Sequence, residues 1–352
     1  MKTQQRIYLY IIIIVCVLTI IYSCKKSGEE ENKLTTVSIN LDWVAGPEHA
    51  FLYYGDKLNF FKEEGIQLNI LQGNTFGSTA SGNAVGAKSV DFALCSGETA
   101  LKLRCGEKPL NLISLGVFYP NTPTVIYSLS KKGINSIEDL YGKRLGVLKS
   151  SSAYQVYTYY MKNHKLDVSK ITEVPLTGNI EEVINPLSQI DAAVHFGFQH
   201  PLQLKLRNIS TSEISLADAK NKIYGQSLIA HLDLLETNKN LVKRMVKAVQ
   251  RSYLATINNP EEALKAFLEK HTFDDYNYGI AKLNWINDFV KKGVEDNYPI
   301  GYQTKAGWLA THKYLNEFGV LKRDINIESF YSNEYLSVEY IINKTTGKSD
   351  GK

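Results

Sequence analysis

The sequence predicts an α/β protein of two lobes, each built from a largely parallel sheet covered by helices. Short apolar runs rich in β-branched residues alternate with helical stretches, and the alternation occurs in two successive series. The length of 352 residues fits two lobes of roughly 100 to 200 residues each. A content of 44% hydrophobic and 22% charged residues is typical of a soluble globular protein, which excludes a polytopic membrane protein and a disordered chain.

The segment before the first predicted strand is typical of an export signal. Basic residues within 1–6 are followed by an uncharged apolar run, 7–20, and by a small residue before Cys24. This cysteine resembles that of the lipobox of bacterial lipoproteins, so we expect a signal peptide over 1–23, a lipid anchor on Cys24 and a polar tether over 24–33. An uncleaved membrane anchor is the alternative. Both interpretations place the body outside the cytoplasm, in the periplasm or on the outer face of the cytoplasmic membrane.

The first series of elements follows the tether. Its strands and helices alternate, as parallel strands with covering helices require. The predicted strands are 36–41, 66–71, 91–95, 111–118 and 124–130, and the predicted helices are 49–59, 77–88 and 97–104.

The second series is followed by a tail dominated by helices. Asn259-Pro260-Glu261-Glu262 indicates a helix start, with proline at the first position and acids in the first turn. The predicted strands are 144–148, 171–176, 192–196 and 227–231, and the predicted helices are 153–164, 180–187, 201–206, 240–258, 260–270, 274–292 and 304–318. The polar residues 344–352 are expected to form a flexible tail.

Enzyme, metal and nucleic-acid motifs are missing from the sequence. It contains no Gly-x-Gly-x-x-Gly after a strand, no His-Glu-x-x-His and no Gly-x-Ser-x-Gly. Apart from His195 and His200, no histidines have the spacing of a ligand pair. The 40 basic and 36 acidic residues are dispersed, which argues against a nucleic-acid partner. We therefore predict no catalytic residue, no metal and no cofactor, and we expect Cys95 and Cys105 to be free and mostly buried.

Candidate ligand-binding residues follow the predicted strands. In open α/β sheets, ligands bind beyond the carboxyl ends of the strands, where helix N-termini offer free N–H groups. Aromatic rings there can stack on a planar organic ligand while hydroxyl groups bind its edges, although each serine or threonine could equally serve as a helix cap. The candidates are Trp43, His49, Tyr53, Ser78, Thr79, Ser96, Glu98, Tyr119, Ser151, Ser152, His195, Phe198 and Tyr224.

Several motifs resemble those of substrate-binding proteins of the thiamine-pyrimidine and alkanesulfonate type, which serve ABC importers. The resemblance runs from about residue 37 to 318. The motifs are Leu41-Asp42-Trp43, Glu48-His49-Ala50, Phe60-Phe61-Lys62-Glu63-Glu64-Gly65-Ile66, Ser89-Val90-Asp91-Phe92-Ala93, Ile134, Asp139-Leu140-Tyr141-Gly142-Lys143-Arg144, Gln189-Ile190-Asp191-Ala192-Ala193 and Asn258-Asn259-Pro260-Glu261-Glu262-Ala263.

The resemblance implies a type II periplasmic binding protein fold, with two α/β lobes and a ligand cleft between them. Lobe 1 would comprise 34–130 plus 224–343, and lobe 2 would comprise 131–223. The implied function is capture of a small vitamin precursor and its delivery, without catalysis, to a permease in the cytoplasmic membrane. The protein is expected to act as a monomer.

The resemblance leaves several ligands open. The opening motif favours an aminopyrimidine precursor of thiamine, but related proteins often carry an acidic residue in the second-lobe loop, and 195–201 contains none. A riboflavin-binding component is the first alternative, because aromatic residues would also stack on a flavin. A sulfonate or nitrate ligand ranks below both, because no arginine lies in the predicted loops to match an anion. An enzyme of thiamine-pyrimidine synthesis is less favoured because its cysteine cluster is missing, and a sensor lipoprotein without transport is a further alternative.

Overall fold

The computed structural model describes residues 34–342 except 75, 150, 186, 188, 218–221 and 274. The predicted signal peptide, Cys24 anchor, tether and terminal tail lie outside these residues. Within the described part of the chain, no helix is both long and apolar enough to cross a membrane.

The strands and helices follow each other in the alternation that the sequence predicts. The strands are β1 (Thr35–Asn40), β2 (Ile66–Leu71), β3 (Phe92–Ser96), β4 (Leu112–Val117), β5 (Thr124–Leu129), β6 (Arg144–Val147), β7 (Thr172–Pro175), β8 (Ala192–Phe196), β9 (Thr211–Ser215) and β10 (Gln226–His231). The helices are α1 (Ala50–Lys57), α2 (Phe60–Glu63), α3 (Gly77–Gly86), α4 (Gly97–Arg104), α5 (Ser152–Asn163), α6 (Glu181–Ile184), α7 (His200–Leu206), α8 (Asp233–Thr237), α9 (Lys239–Asn258), α10 (Pro260–Leu268), α11 (Tyr276–Gly293) and α12 (Lys305–Glu317).

The strands form two five-stranded sheets, which confirms the predicted pair of α/β lobes. The first sheet has the order β2-β1-β3-β10-β4 and the second has the order β7-β6-β8-β5-β9. In the first sheet β10 runs antiparallel to its neighbours β3 and β4, and in the second β5 runs antiparallel to β8 and β9. The remaining pairs are parallel, so each sheet has one strand of opposite direction.

Strand β5 lies in the second sheet, whereas the prediction for 124–130 was the end of lobe 1. Thr124 is paired with Phe196 of β8, and Val125 is paired with Ser215 of β9. The chain therefore leaves the first sheet directly after β4. Alternation of strands and helices does not reveal this, because an apolar strand can join either sheet.

The chain crosses between the lobes twice, over 118–123 and again between β9 and β10. The crossings lie side by side: the N–H of Gly225 donates to the carbonyl of Tyr119 (2.9 Å), and the N–H of Ile223 donates to Asn121 Oδ1 (3.1 Å). Because β4 ends at Val117 and Thr124 is paired with the last residue of β8, the carboxyl ends of β4 and β8 border the first crossing.

Candidate functional site

The loop after β1 forms the floor of the candidate site. It runs beside the loop after β2, where a Cβ atom on Gly73 would lie 2.5 Å from the carbonyl oxygens of both Leu41 and Trp43. Only glycine permits this close approach. The two loops are therefore held together at the carboxyl edge of the first sheet.

Asp42 and His49 form a buried hydrogen-bonded pair within this floor. His49 is fully buried, and its Nε2 lies 2.9 Å from Asp42 Oδ1. The N–H of Gly46 donates to His49 Nδ1 (3.2 Å). Because Nδ1 accepts a hydrogen bond, the proton lies on Nε2 and is donated to Asp42. The pair fixes the orientation of both the imidazole and the carboxylate.

Glu48 and Lys282 form a second buried pair. Lys282 Nζ lies 2.7 Å from Glu48 Oε2, and the two side chains are only 8% and 14% exposed. Burial raises the pKa of Glu48, but the charge of Lys282 and its hydrogen bond outweigh burial, so the pKa lies below its ordinary value. Glu48 is therefore held as a carboxylate by a lysine from α11.

Tyr119 follows β4 at the start of the first crossing and carries an unused hydroxyl group. The residue is 7% exposed, and its hydroxyl oxygen has no hydrogen-bond partner in the described structure. Burial raises its pKa well above the ordinary value, and the nearby charges of Glu48 and Asp42 add to the effect. A buried hydroxyl group without a partner is unfavourable, which makes Tyr119 a candidate for contact with a ligand.

Glu98 lies at the N-terminus of α4, near Asp42. Burial raises its pKa to about 7, the charge of Asp42 adds to this rise, and a hydrogen bond with Ser96 opposes it. Ser78 connects the neighbouring loops, since the N–H of Ser96 donates to Ser78 Oγ (2.9 Å). The floor thus contains a carboxyl group that is half protonated near neutral pH.

The second lobe contributes Phe198, from the loop after β8. Phe198 is 6% exposed and packs into the core of lobe 1, with its ring centroid 5.6 Å from that of Trp285. The ring of His195 packs against that of His200 at a tilt of 37°, with centroids 4.0 Å apart, and burial, aided by His200, lowers the pKa of His195 to about 3. The second-lobe residues Phe198, His195 and His200 are therefore aromatic, and His195 is neutral near pH 7.

Other predicted site residues have structural contacts of their own. Ser151 Oγ accepts the N–H of Tyr154 (3.1 Å) and so caps α5. Tyr224 is 1% exposed and packs edge-to-face on Trp308. The hydroxyl group of Tyr53 bonds to His271 Nε2 (2.7 Å).

The remaining predicted residues, Thr79, Ser152 and Trp43, are exposed, and Trp43 has 47% of its surface accessible. Cys95 and Cys105 are free and buried, as predicted. Among the described residues, no group of three histidine, cysteine, aspartate or glutamate side chains could hold a metal ion.

Three residues of this region were not among the predicted site residues: Glu48 and Lys282, which form an ion pair, and Phe76, whose ring is exposed. Glu48 directly precedes His49 in the first loop, so its position was visible in the sequence. The partner Lys282 was not, because it comes from a helix far along the chain.

Comparisons with known proteins agree with this architecture. A family model described as "NMT1/THI5 like" matches residues 46–263. The riboflavin-binding protein RibY of Chloroflexus aurantiacus is 21% identical over 311 residues, 86% of each chain. The formylaminopyrimidine-binding protein of Halalkalibacterium halodurans is 21% identical over 92% of this chain and 98% of its own.

A 4-amino-5-hydroxymethyl-2-methylpyrimidine phosphate synthase of Legionella pneumophila is 22% identical, covering 85% of this chain and 92% of the synthase. Among solved structures, the periplasmic aliphatic sulphonate binding protein SsuA from Escherichia coli superimposes with a TM-score of 0.62 at 12% identity, covering 84% of this chain and 91% of that protein. This likeness confirms the predicted periplasmic binding protein fold. Because the family model matches more than half of the sequence, the chain belongs to the NMT1/THI5-like family.

Proposed function

We propose that this protein is the solute-binding component of an ABC importer and captures an aminopyrimidine precursor of thiamine. The observation that carries the proposal is the buried hydroxyl group of Tyr119, which lacks a partner and lies near Asp42 and Glu48. Family membership and a relative named for formylaminopyrimidine binding support the same ligand class.

The chemistry of the floor suits the edge of an aminopyrimidine. Such a ring carries a nitrogen that accepts a hydrogen bond beside an amino group that donates one. The Tyr119 hydroxyl group can donate to the ring nitrogen, and the carboxylate of Asp42 or Glu48 can accept from the amino group. A sulfonate is disfavoured, because Asp42 lies near Glu98, Asp42 and Glu48 lie near Tyr119, and Lys282 is already paired with Glu48.

Riboflavin is the second candidate because two exposed aromatic rings lie at the edge of the floor. Trp43 is 47% exposed and Phe76 is 80% exposed. Trp43 lies beside Gly77, the residue after Phe76, since a Cβ atom on Gly77 would lie 3.2 Å from Trp43 Cε3. A flavin ring would cover more of this aromatic surface than a pyrimidine, and RibY is named for riboflavin binding.

Capture without chemistry is part of the proposal, although the relative from Legionella pneumophila is named as a synthase. In the proposed mechanism, the ligand bridges both lobes and shifts the population toward the closed state, from which a permease receives it. Ligand incubated with the protein should be recovered with unchanged mass. A modified ligand would show that the protein is an enzyme.

The proposal also includes the lipid anchor on Cys24, a monomeric state and a location in the periplasm or on the outer face of the cytoplasmic membrane. Metabolic labelling with a radioactive fatty acid should mark the wild-type protein and not the variant Cys24→Ser. Labelling of the variant would refute the lipoprotein assignment.

The ligand can be tested by thermal unfolding of the purified protein with an aminopyrimidine, thiamine, riboflavin or taurine. A ligand at 100 times its Kd adds about 2.7 kcal/mol of stability. We expect the aminopyrimidine to give the largest increase in melting temperature, and Trp43→Ala to reduce it. A larger increase with riboflavin would favour the second candidate, and no increase with any compound would refute the vitamin assignment.

A further inference from the structure

Helix α11 presents three side chains to the second lobe from one face. Tyr278, Lys282 and Trp285 are spaced i, i+4 and i+7, so they share a face of the helix. The hydroxyl group of Tyr278 donates to the carbonyl of Phe198 (3.2 Å), and the ring of Trp285 packs against the ring of Phe198 with centroids 5.6 Å apart. We refer to these three residues as the α11 face.

Lys282 joins the two lobes at the centre of the α11 face. Its ammonium group is paired with Glu48 in lobe 1 at 2.7 Å and lies 5.3 Å from the ring centroid of Phe198 in lobe 2. An ammonium group over an aromatic ring is attracted to it, and the attraction grows when the group is desolvated. Lys282 is buried, so both contacts are strong only while α11 remains against the loop after β8.

The α11 face covers Phe198 and Glu48 and thereby closes one side of the region between the lobes. Phe198 is 6% exposed with the helix in place. A ligand cannot stack on this ring unless the helix or the loop moves. Phe198 offers an aromatic ring and Glu48 a carboxylate to a ligand. Because α11 covers both residues, its position controls whether a ligand can reach them.

We propose that α11 is a lid on the ligand site, with Lys282 as the positioning residue that joins the lid to both lobes. This inference rests on the proposed binding function. Opening of the lid breaks the Lys282–Glu48 and Tyr278–Phe198 contacts and admits the ligand, and closing restores them over the bound ligand. The lid therefore governs both the association and the dissociation rate.

Gly197 allows the lid to be loosened without removing any contact group. A Cβ atom at this position would lie 2.6 Å from Trp285 Cζ2, a distance that forces the indole ring away. Gly197 does not have a positive φ, so alanine causes no backbone strain. Gly197→Ala is therefore a wedge between the loop and α11. Gly86→Ala, at the C-terminal end of α3 in lobe 1, is the matched control, because a Cβ atom there would lie 2.6 Å from Leu110 Cδ1 and so presses on Leu110 instead of α11.

Lys282→Met is the second variant, because it removes the ammonium group and keeps most of the side-chain volume. Its control is Lys291→Met, which removes a lysine that is paired with Asp288 on the same helix. Loss of Lys282 leaves Glu48 buried and unpaired, which is strongly destabilising. The double variant Lys282→Met/Glu48→Gln removes that charge and gives the same test if the single variant does not fold.

The experiment measures two quantities on purified full-length protein. Stopped-flow fluorescence gives the association and dissociation rates of an aminopyrimidine and of riboflavin, and hydrogen–deuterium exchange without ligand gives the opening of 276–286. We expect Gly197→Ala and the Lys282 variants to raise both rate constants by about tenfold and to speed exchange, with both controls unchanged. A residue with a purely structural role would change the melting temperature and leave the rates as they are.

If folded Gly197→Ala protein showed unchanged ligand association and dissociation rates and unchanged hydrogen–deuterium exchange, the lid proposal would be refuted. If the wild type binds neither probe, the binding function of this site fails, while the exchange measurement still decides whether α11 opens. Faster exchange with unchanged rates in a protein that binds ligand would show a mobile helix that does not control access, which also overturns the proposal.

Discussion

Tyr119 carries a buried hydroxyl group that the folded chain leaves without a partner. Tyr119→Phe should therefore leave the free energy of unfolding of the unliganded protein unchanged or raise it by up to ~2 kcal/mol, because an unpaired polar group is removed. Ligand affinity should fall roughly tenfold, or about 1.4 kcal/mol. Urea unfolding and isothermal titration calorimetry measure the two effects.

Tyr253→Phe is the matched control. The hydroxyl group of Tyr253 donates to Gln226 Oε1, so its removal leaves a buried amide oxygen unpaired and should lower stability by about 1 kcal/mol. If Tyr119→Phe destabilised the unliganded protein as much as this control, the Tyr119 hydroxyl group would have a partner within the chain.

The raised pKa of Glu98 predicts that the stability of the protein depends on pH. Its pKa is about 7 in the folded protein and 4.5 ordinarily, so the unfolded chain loses this proton first as pH rises. Stability from this group is fully present below pH 4.5 and is lost as pH rises to about 7. Glutamine does not titrate, so as pH rises across this interval the free energy of unfolding of Glu98→Gln should increase relative to the wild type by on the order of 3 kcal/mol.

The comparison requires urea unfolding of both proteins at several pH values from 4 to roughly 8. The difference between them isolates Glu98, because every other side chain is the same in both proteins. A difference that stays constant with pH would show that Glu98 is ionised in the folded protein at neutral pH.

Part of the site could be predicted from individual residues. His49 and Tyr119 follow strands, and the rule that ligands bind beyond strand ends selects them directly. Lys282 could not be selected, since an isolated lysine in an amphipathic helix ordinarily points to solvent. Its burial depends on Glu48, which is distant in sequence, and the sequence shows no sign of that pairing.

Ser151, which was predicted as a ligand-binding residue, caps the N-terminus of α5 in the structure. Ser151 Oγ accepts the N–H of Tyr154 and donates to the carbonyl of Leu148 (2.7 Å). Ser151→Ala should lower the free energy of unfolding by about 1 kcal/mol. Ser152→Ala, one residue later and exposed, should have little effect. Equal losses in urea unfolding would contradict the capping role.

The bounds of several elements could be predicted closely, and their partners could not. The predicted strands 66–71 and 192–196 match β2 and β8. Strand β9 (Thr211–Ser215) was missed because its sequence, Thr-Ser-Glu-Ile-Ser, is largely polar, as an edge strand with one solvated face can be. Strand β5 was predicted and assigned to the wrong sheet, because pairing depends on where the chain crosses.

The two lobes share hydrophobic cores, which connects their stabilities. One core combines Leu145 and Val194 of the second sheet with Leu112 and Trp308 of lobe 1. At a further contact, the ring of Tyr159 in α5 meets that of Tyr314 in α12 edge-to-face, with centroids 4.6 Å apart. Unfolding of one lobe would expose these surfaces on the other.

We therefore expect urea to unfold both lobes in a single transition. In a Trp285→Phe background, the fluorescence of Trp43 and Trp308 reports on lobe 1, because this change removes the tryptophan that packs against Phe198 of the second lobe. Far-ultraviolet circular dichroism reports on both sheets. The two midpoints should coincide. Leu204→Ala provides a stricter test, because Leu204 is fully buried in a core formed by second-lobe residues. The variant should lose about 2 to 5 kcal/mol of unfolding free energy, and this loss should lower the tryptophan midpoint and the circular dichroism midpoint equally. An unshifted tryptophan midpoint would show that the lobes unfold independently.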